Sequence, residues 1–165
     1  MKYIKHSILF LFLVTAINGN AQEQKKSNIG GPPETKDLIG YWKMVPIPNA
    51  DKVNKVNPWP QPYQWVAFLE NGKVYTMMTD TDYDYTPEML QQIFDVLPAA
   101  KIPNYVHKGQ FLTIDSKEIK DYQELWGVNL FALDVKSFIK AGDLMMTLDD
   151  GSGNVIYYRL LRKIK

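Results

Sequence analysis

The stretch 64–79 reads QWVAFLENGKVYTMMT: two apolar, β-type segments on either side of Asn71-Gly72. Asn-Gly tolerates the positive φ angles that a two-residue type I′ turn requires, so the stretch predicts a β-hairpin. A two-residue turn gives the pairs Glu70–Lys73, Phe68–Tyr75 and Trp65–Met78. Both faces of the predicted hairpin are largely apolar, so one face should line a core or lumen while the other is covered by a helix or loop.

The flanking segments supply candidates for that cover. Residues 46–62 contain five prolines around Trp59, and proline removes the donors of a strand ladder, so we expect an ordered loop there. After the hairpin, Thr86-Pro87-Glu88 combines a capping residue, a first-turn proline and a first-turn acid, which predicts the start of a helix. Its apolar face would consist of Met89, Leu90, Ile93, Phe94 and Leu97.

Strand-like segments with short turns make up most of the rest of the chain, from Gly40 to Lys163. About eight such strands predict an all-β chain with one or two short helices. The favoured arrangement is an antiparallel meandering β-barrel, with a sandwich as the alternative. Closing a barrel would remove the exposed edges that these strands otherwise present.

The amino-terminal residues predict export. A basic start at Lys2 and Lys5, an apolar run over residues 8–17 and a small residue at Ala21 have the form of a secretory signal peptide. We therefore expect a signal peptide over residues 1–21, a flexible tether over 22–36 and one domain over 37–165. The chain contains no cysteine, so a disulfide-stapled product is excluded, and a bacterial periplasmic or extracellular location is favoured. No membrane segment is expected after cleavage, because the apolar run is too short to span a bilayer.

Charge and composition narrow the function classes. Removing residues 1–21 leaves 17 basic and 18 acidic residues, and this balance does not attract nucleic acid. The sequence contains no P-loop and no dinucleotide fingerprint, so no cofactor is predicted. His107 is the only histidine of the mature chain, which argues against a histidine-rich zinc site and against a serine triad. A carboxylate-based hydrolase stays open, because paired acids carry no sequence signature.

One acidic stretch has the opening of a calcium loop. Asp80, Asp82 and Asp84 alternate, but Tyr85 stands where such a loop needs glycine and Gln91 where it needs a bidentate glutamate. We therefore interpret the stretch as a solvated connection that leads into a helix, and we predict no metal site there.

The ends of the domain resemble the lipocalins and the bacterial secreted lipocalin-like domains. The resemblance rests on Gly40-Tyr41-Trp42 in the first strand, on Arg162 near the end of the last strand and on the closing hairpin from Gly142 to Arg159. It implies a barrel in which Trp42 plugs the closed end and Arg162 stacks across it in a cation–π contact.

The resulting hypothesis is a secreted, non-enzymatic binding module that holds a small apolar or amphipathic ligand inside its barrel. The predicted wall and mouth residues are Trp59, Trp65, Phe68, Tyr75, Met77 and Met78. The alternative is a filled barrel that acts in the cell envelope through its surface, and a hydrolase is third. The sequence leaves the inward-facing side of each strand and the oligomeric state open.

Overall fold

The computed structural model describes residues 29–59, 61–98, 101–115 and 123–165. The predicted signal peptide and residues 22–28 of the predicted tether lie outside the described residues. The later part of that tether is ordered, since Gly30 and Gly31 pair with Phe131 and Leu130. A Cβ at Gly30 would overlap the carbonyl group of Leu130, so this close pairing requires glycine.

The described elements are nine strands and three short helices. In chain order they are β1 (Gly30–Gly31), α1 (Thr35–Leu38), β2 (Gly40–Val45), α2 (Ala50–Val53), β3 (Tyr63–Phe68), β4 (Val74–Thr79), α3 (Pro87–Asp95), β5 (Tyr105–Lys108), β6 (Phe111–Asp115), β7 (Gln123–Phe131), β8 (Leu144–Asp149) and β9 (Val155–Lys163).

All nine strands belong to one antiparallel sheet, in which eight follow the order β4-β3-β2-β9-β8-β7-β6-β5 and the short β1 pairs with β7. The eight strands curl into a half-barrel. From β2 onward, strands that follow one another in the chain are neighbours in the sheet, except that α3 separates β4 from β5. The strand β2 also pairs with the last strand, β9. The two edge strands meet at a single bridge between Lys73 and Asn104, next to which Tyr105 N donates to Gly72 O at 2.8 Å. The predicted fold class, a mostly β chain with an antiparallel meander of about eight strands, is confirmed.

The central hairpin forms as predicted, but its predicted register is wrong by one residue. Phe68 pairs with Val74 and Trp65 with Met77. Gly72 N donates to Leu69 O at 3.0 Å, and Leu69 N donates to Lys73 O at 2.9 Å, so the loop contains three residues. Gly72 alone carries a positive φ, of 76°, which is the form of a type I turn followed by a glycine bulge.

The inner core contains buried residues from each of the eight strands, so its side of the sheet is the concave one. Its members are Leu38, Trp42, Val66, Phe68, Val74, Tyr105, Leu112, Trp126, Val128, Leu144, Met146, Leu148, Tyr157 and Leu161. Most are fully buried, and several aromatic rings fill the space between the strands.

A second core lies on the opposite face of β3, under α3. Trp65 and Ala67 pack there against Leu90 and Phe94, and all four are buried. The helix begins as predicted, because the Thr86 hydroxyl accepts from the amide of Met89 at 3.3 Å. The predicted cover over the outer face of the hairpin is therefore α3. None of the three helices in the described part of the chain has the length and apolarity to cross a membrane.

Candidate functional site

The least expected side chain of the inner face is Arg159, on β9. It pairs with Met146 and lies between Tyr157 and Leu161, which also face inward, because alternate residues of a strand share a face. Only 3% of Arg159 is exposed. A charged side chain at such a position carries a large desolvation cost and needs compensating partners.

Three aromatic rings surround the Arg159 guanidinium group, and we call Trp59, Trp126 and Tyr157 the aromatic box. The guanidinium carbon lies 4.3 Å from the Trp59 ring centroid, 5.1 Å from that of Trp126 and 5.9 Å from that of Tyr157. Trp59 stacks on Trp126 at 5.4 Å and meets Tyr157 edge-on at 5.2 Å. The rings give the cation quadrupolar stabilisation, but they offer no conventional hydrogen-bond acceptor over their faces.

Two nitrogens of Arg159 lack a hydrogen-bond partner among the described residues. They are Nε and Nη2, and both are fully buried. These two atoms form one edge of the planar guanidinium group, and that edge matches the two oxygens of a carboxylate. The side chain thus presents an unused bidentate anion-binding edge inside the aromatic box.

Burial lowers the pKa of Arg159 from its usual value, while the negative charge of Glu124 acts in the opposite direction. The guanidinium group keeps its proton even so, because arginine is not deprotonated in proteins. Glu124 accepts from Trp126 Nε1 through its Oε2 at 2.8 Å and makes no ion pair with Arg159 among the described residues. Its charge therefore offsets that of Arg159 only in part, and an incoming anion would still be attracted to the buried guanidinium group.

The proline-rich loop places Trp59 over Arg159. Asn54 Oδ1 accepts from Tyr158 N at 2.9 Å, and Lys55 N donates to Ile156 O at 2.9 Å, so the loop is fastened to β9. Trp59 then reaches back into the half-barrel and packs against the inner core. Arg159 is buried beneath the Trp59 ring, and surface depressions of about 330 and 290 Å³ lie in other parts of the domain. A ligand would therefore have to displace Trp59 to reach Arg159.

The six predicted ligand-contacting residues separate onto two faces of the sheet. Trp59 and Phe68 pack in the inner core, and Met78 pairs with the inward-facing Gln64. Trp65, Tyr75 and Met77 instead pack on the opposite face, in the core beneath α3. The register difference at Gly72 contributes to this result, because a shift of one residue exchanges which cross-strand residues share a face.

The predicted contact between Trp42 and Arg162 is wrong, because the structure places Lys163 beside Trp42 instead. Arg162 pairs across the sheet with Lys43, so its side chain projects from the other face of the sheet than that of Trp42. Lys163 pairs with Trp42 and holds its ammonium group 5.1 Å from the indole centroid. Trp42 itself is buried, and its Nε1 donates to Leu38 O at 2.8 Å.

Arg162 has a different partner, the buried carboxylate of Asp143. Its Nε and Nη2 donate to the two Asp143 oxygens at 2.8 and 2.7 Å. Nη2 also donates to Phe138 O at 2.9 Å, and Asp143 Oδ2 accepts from Lys140 N at 2.8 Å. These bonds attach the connection between β7 and β8 to the last strand, so Arg162 acts in the architecture of the domain.

The acidic stretch before α3 already has a protein cation beside it. Lys43 Nζ lies 2.6 Å from Asp82 Oδ1 and 3.8 Å from Asp84 Oδ1. Across the ranges that the structure covers, no three or more His, Asp or Glu side chains are grouped so that they could hold a metal ion. Asp80, Asp82 and Asp84 are therefore not arranged as a metal site within the described residues. Lys43 neutralises part of their charge.

Three described carboxyl groups have a displaced pKa, and all three are displaced downward. Hydrogen bonds from neighbouring side chains or backbone amides lower the pKa of Glu88, Asp134 and Asp150. For Asp150, whose largest cause is a hydrogen bond from the Ser152 side chain, the pKa falls to about 2. A glycosidase general acid needs a raised pKa, so these three groups do not fit that role.

Sequence reasoning missed Arg159 and Gln64. The available signal was the alternation of Tyr157, Arg159 and Leu161 in the last strand, which places a charged residue between two residues of a core face. Burial without a partner could not be deduced, because it depends on which distant side chains surround the guanidinium group.

No protein family model, no curated protein and no solved structure matches this chain.

Proposed function

We propose that this protein is an exported, non-enzymatic binding module of the lipocalin-like type, and that it holds a small amphipathic anion inside its half-barrel. The acid group of the ligand binds the free edge of Arg159, and its apolar part takes the place of Trp59 against the inner core. The observation that carries this proposal is that Nε and Nη2 of Arg159 are buried and have no hydrogen-bond partner among the residues that the structure describes.

A purely structural role explains these atoms poorly. Each buried donor without a partner costs about 1–3 kcal/mol, and an apolar side chain of similar length would avoid that cost. Sites that keep such costs are expected to be functional, because binding then supplies the missing partner. A carboxylate supplies two acceptors and a counter-charge at once.

The surroundings of Arg159 suit a ligand with an apolar portion. Trp126, Tyr157 and Met146 are buried at the same inner face. Trp59 is only partly buried and belongs to a loop, so it can move out without disturbing a strand ladder. Export and the lipocalin-like type are supported by the amino-terminal pattern and by the Gly40-Tyr41-Trp42 motif.

The test compares octanoate with 1-octanol, which has a similar apolar chain and no charge. Isothermal titration calorimetry and tryptophan fluorescence should both report octanoate binding, and octanol should bind at least about tenfold more weakly. Arg159→Met should weaken octanoate binding about 10- to 100-fold, since a hydrogen-bonded charge pair contributes about 1.5–3 kcal/mol. Lys163→Gln is the matched control, because it removes an inward-facing cation over Trp42 and should leave the affinity unchanged.

Equal affinity for octanoate and octanol, or full affinity in Arg159→Met, would contradict the assignment of Arg159. If neither compound binds the wild-type protein at millimolar concentration, the ligand-binding proposal fails as a whole.

The second candidate is a filled barrel that acts through its surface. It is favoured by the dense inner core and by an apolar patch on the outer face of β5, β6 and β7. Val106, Phe111 and Leu125 are 52%, 43% and 43% exposed there, around a shallow depression of about 290 Å³. Exposed apolar patches often mark contact sites for other proteins. This candidate takes the place of the first if octanoate fails to bind.

A further inference from the structure

The inner face contains a second buried polar group with unused hydrogen-bonding capacity. Gln64, on β3, is fully buried, and its Nε2 donates to Trp59 O at 3.4 Å and to Gln61 O at 3.2 Å. The orientation of the amide is therefore determined, because the reverse orientation would place Oε1 against two carbonyl oxygens. Oε1 has no partner in the part of the chain that the structure covers.

Gln64 and Arg159 meet the same residue, Trp59. Gln64 binds the Trp59 carbonyl oxygen, and the Arg159 guanidinium carbon lies 4.3 Å from the Trp59 ring. Strand register places the two side chains on the same inner space: continuing the β2–β3 pairing, Gln64 lies opposite Met44, and Met44 pairs with Leu161, two residues from Arg159. The unpaired acceptor and the two unpaired donors therefore enter the half-barrel from the same side, with one strand between them, and a small molecule in the place of the Trp59 ring would meet both groups.

We propose that the ligand is a hydroxy acid: a carboxylic acid that carries a hydroxyl group a few bonds from its acid group. The carboxylate accepts from Arg159 Nε and Nη2, and the hydroxyl donates to Gln64 Oε1. A neutral donor fits better than an ammonium group, because the positive charge of Arg159 repels a second cation in this buried site. This inference rests on the proposed function and adds the substrate class to it.

Discrimination follows from the cost of an unpaired buried acceptor. An acid without the hydroxyl leaves Gln64 Oε1 unpaired in a site from which the ligand has excluded water. Sites built to hydrogen-bond a ligand hydroxyl discriminate strongly against analogues that lack it. We expect the hydroxy acid with the best-placed hydroxyl to bind about five- to tenfold more tightly than the plain acid.

The experiment measures, by calorimetry on the wild-type mature chain, a series of octanoates with one hydroxyl on each carbon from the second to the fifth. Plain octanoate is the reference. At least one isomer should bind with the expected five- to tenfold advantage, and methylating its hydroxyl should abolish that advantage, because the donor is lost. Gln64→Met should bind octanoate and the hydroxylated isomer with the same affinity, because the acceptor for the hydroxyl is gone.

The possible failures are distinguishable. If octanoate binds and no isomer exceeds it, the hydroxy-acid inference is wrong while the proposed function stands. The inference is also wrong if the methylated compound or the Gln64→Met variant keeps the preference, since the hydroxyl would then have another partner. If octanoate and every isomer fail to bind, the proposed function is wrong, and the inference fails with it. The wild-type series decides the matter even if Gln64→Met does not fold.

Discussion

Replacing Arg159 with methionine should raise the stability of the ligand-free protein. Methionine has a similar length and can occupy the same path between Trp59, Trp126 and Tyr157. It removes two buried donors that have no partner among the described residues, together with a charge that is nine-tenths or more buried.

The expected magnitude is a balance of two effects. Relief of two unpaired donors contributes about 1–3 kcal/mol each, and loss of the cation–π contacts costs about 1–2 kcal/mol in total. The difference is a net gain of about 0–5 kcal/mol, with a middle value of about 2.5 kcal/mol. Apolar replacements of buried charges in other proteins give gains of this size. For a domain of this size a gain of about 2.5 kcal/mol corresponds to a rise in Tm of about 5–10 °C.

The assay is urea denaturation of the ligand-free protein, followed by circular dichroism, with thermal unfolding as a second measurement. Arg162→Met is the matched control, because the same substitution three residues later removes the partner of a buried carboxylate. Asp143 would keep only the amide of Lys140, so this variant should lose about 2–3 kcal/mol.

Opposite signs for the two variants would therefore support the reasoning. If Arg159→Met lowers the free energy of unfolding by more than about 1 kcal/mol, Arg159 is a structural cation that its aromatic box satisfies. Arg159 would then not be an anion-binding residue.

Three further predictions concern other parts of the chain. Trp42→Phe and Lys163→Gln should couple by about 0.5–1 kcal/mol in a double-mutant cycle, whereas Trp42→Phe and Arg162→Gln should be additive. The pKa of Asp150 in the folded protein is lowered from 3.8 to about 2, so its contribution to stability is present above pH 3.8 and is lost as the pH falls towards 2. Asp150→Asn should therefore flatten that part of a curve of unfolding free energy against pH. Amino-terminal sequencing of the exported protein should begin near Gln22, and an intact Met1 would contradict export by cleavage.

The parts of the fold that depend on neighbouring residues were predictable. The helix start at Thr86 and Pro87 follows from capping chemistry within one turn, and the structure shows the capping bond to Met89. The position of the hairpin follows from Asn71-Gly72 for the same reason. Whether the loop has two or three residues did not follow, because Asn-Gly suits both forms: a type I′ turn with both residues at positive φ, and a type I turn with a glycine bulge, in which only the glycine has a positive φ.

The residues of the candidate site were harder to predict from the sequence than the turns and the helix start. Trp59 was expected near a mouth of the barrel, and its loop does cover one part of the inner face. Arg159 was missed, and Arg162 was assigned the contact that Lys163 makes. In both cases the error concerns the face of the strand from which a cationic side chain projects. Neighbouring residues of a strand project from opposite faces, so a difference of one residue places the side chain on the wrong face.

The amino-acid sequence is enough to predict the alternation of the strands, the places where turns interrupt them and the start of α3, because each depends on interactions over a few residues. These local features are sufficient for an antiparallel meander of eight strands. Three features could be read only from the folded chain: which face of each strand is buried, which cation lies over Trp42, and that Arg159 has no partner within the described residues. Those outcomes depend on strand register and on contacts between residues far apart in the chain, such as Trp59 with Arg159, and no local pattern encodes them.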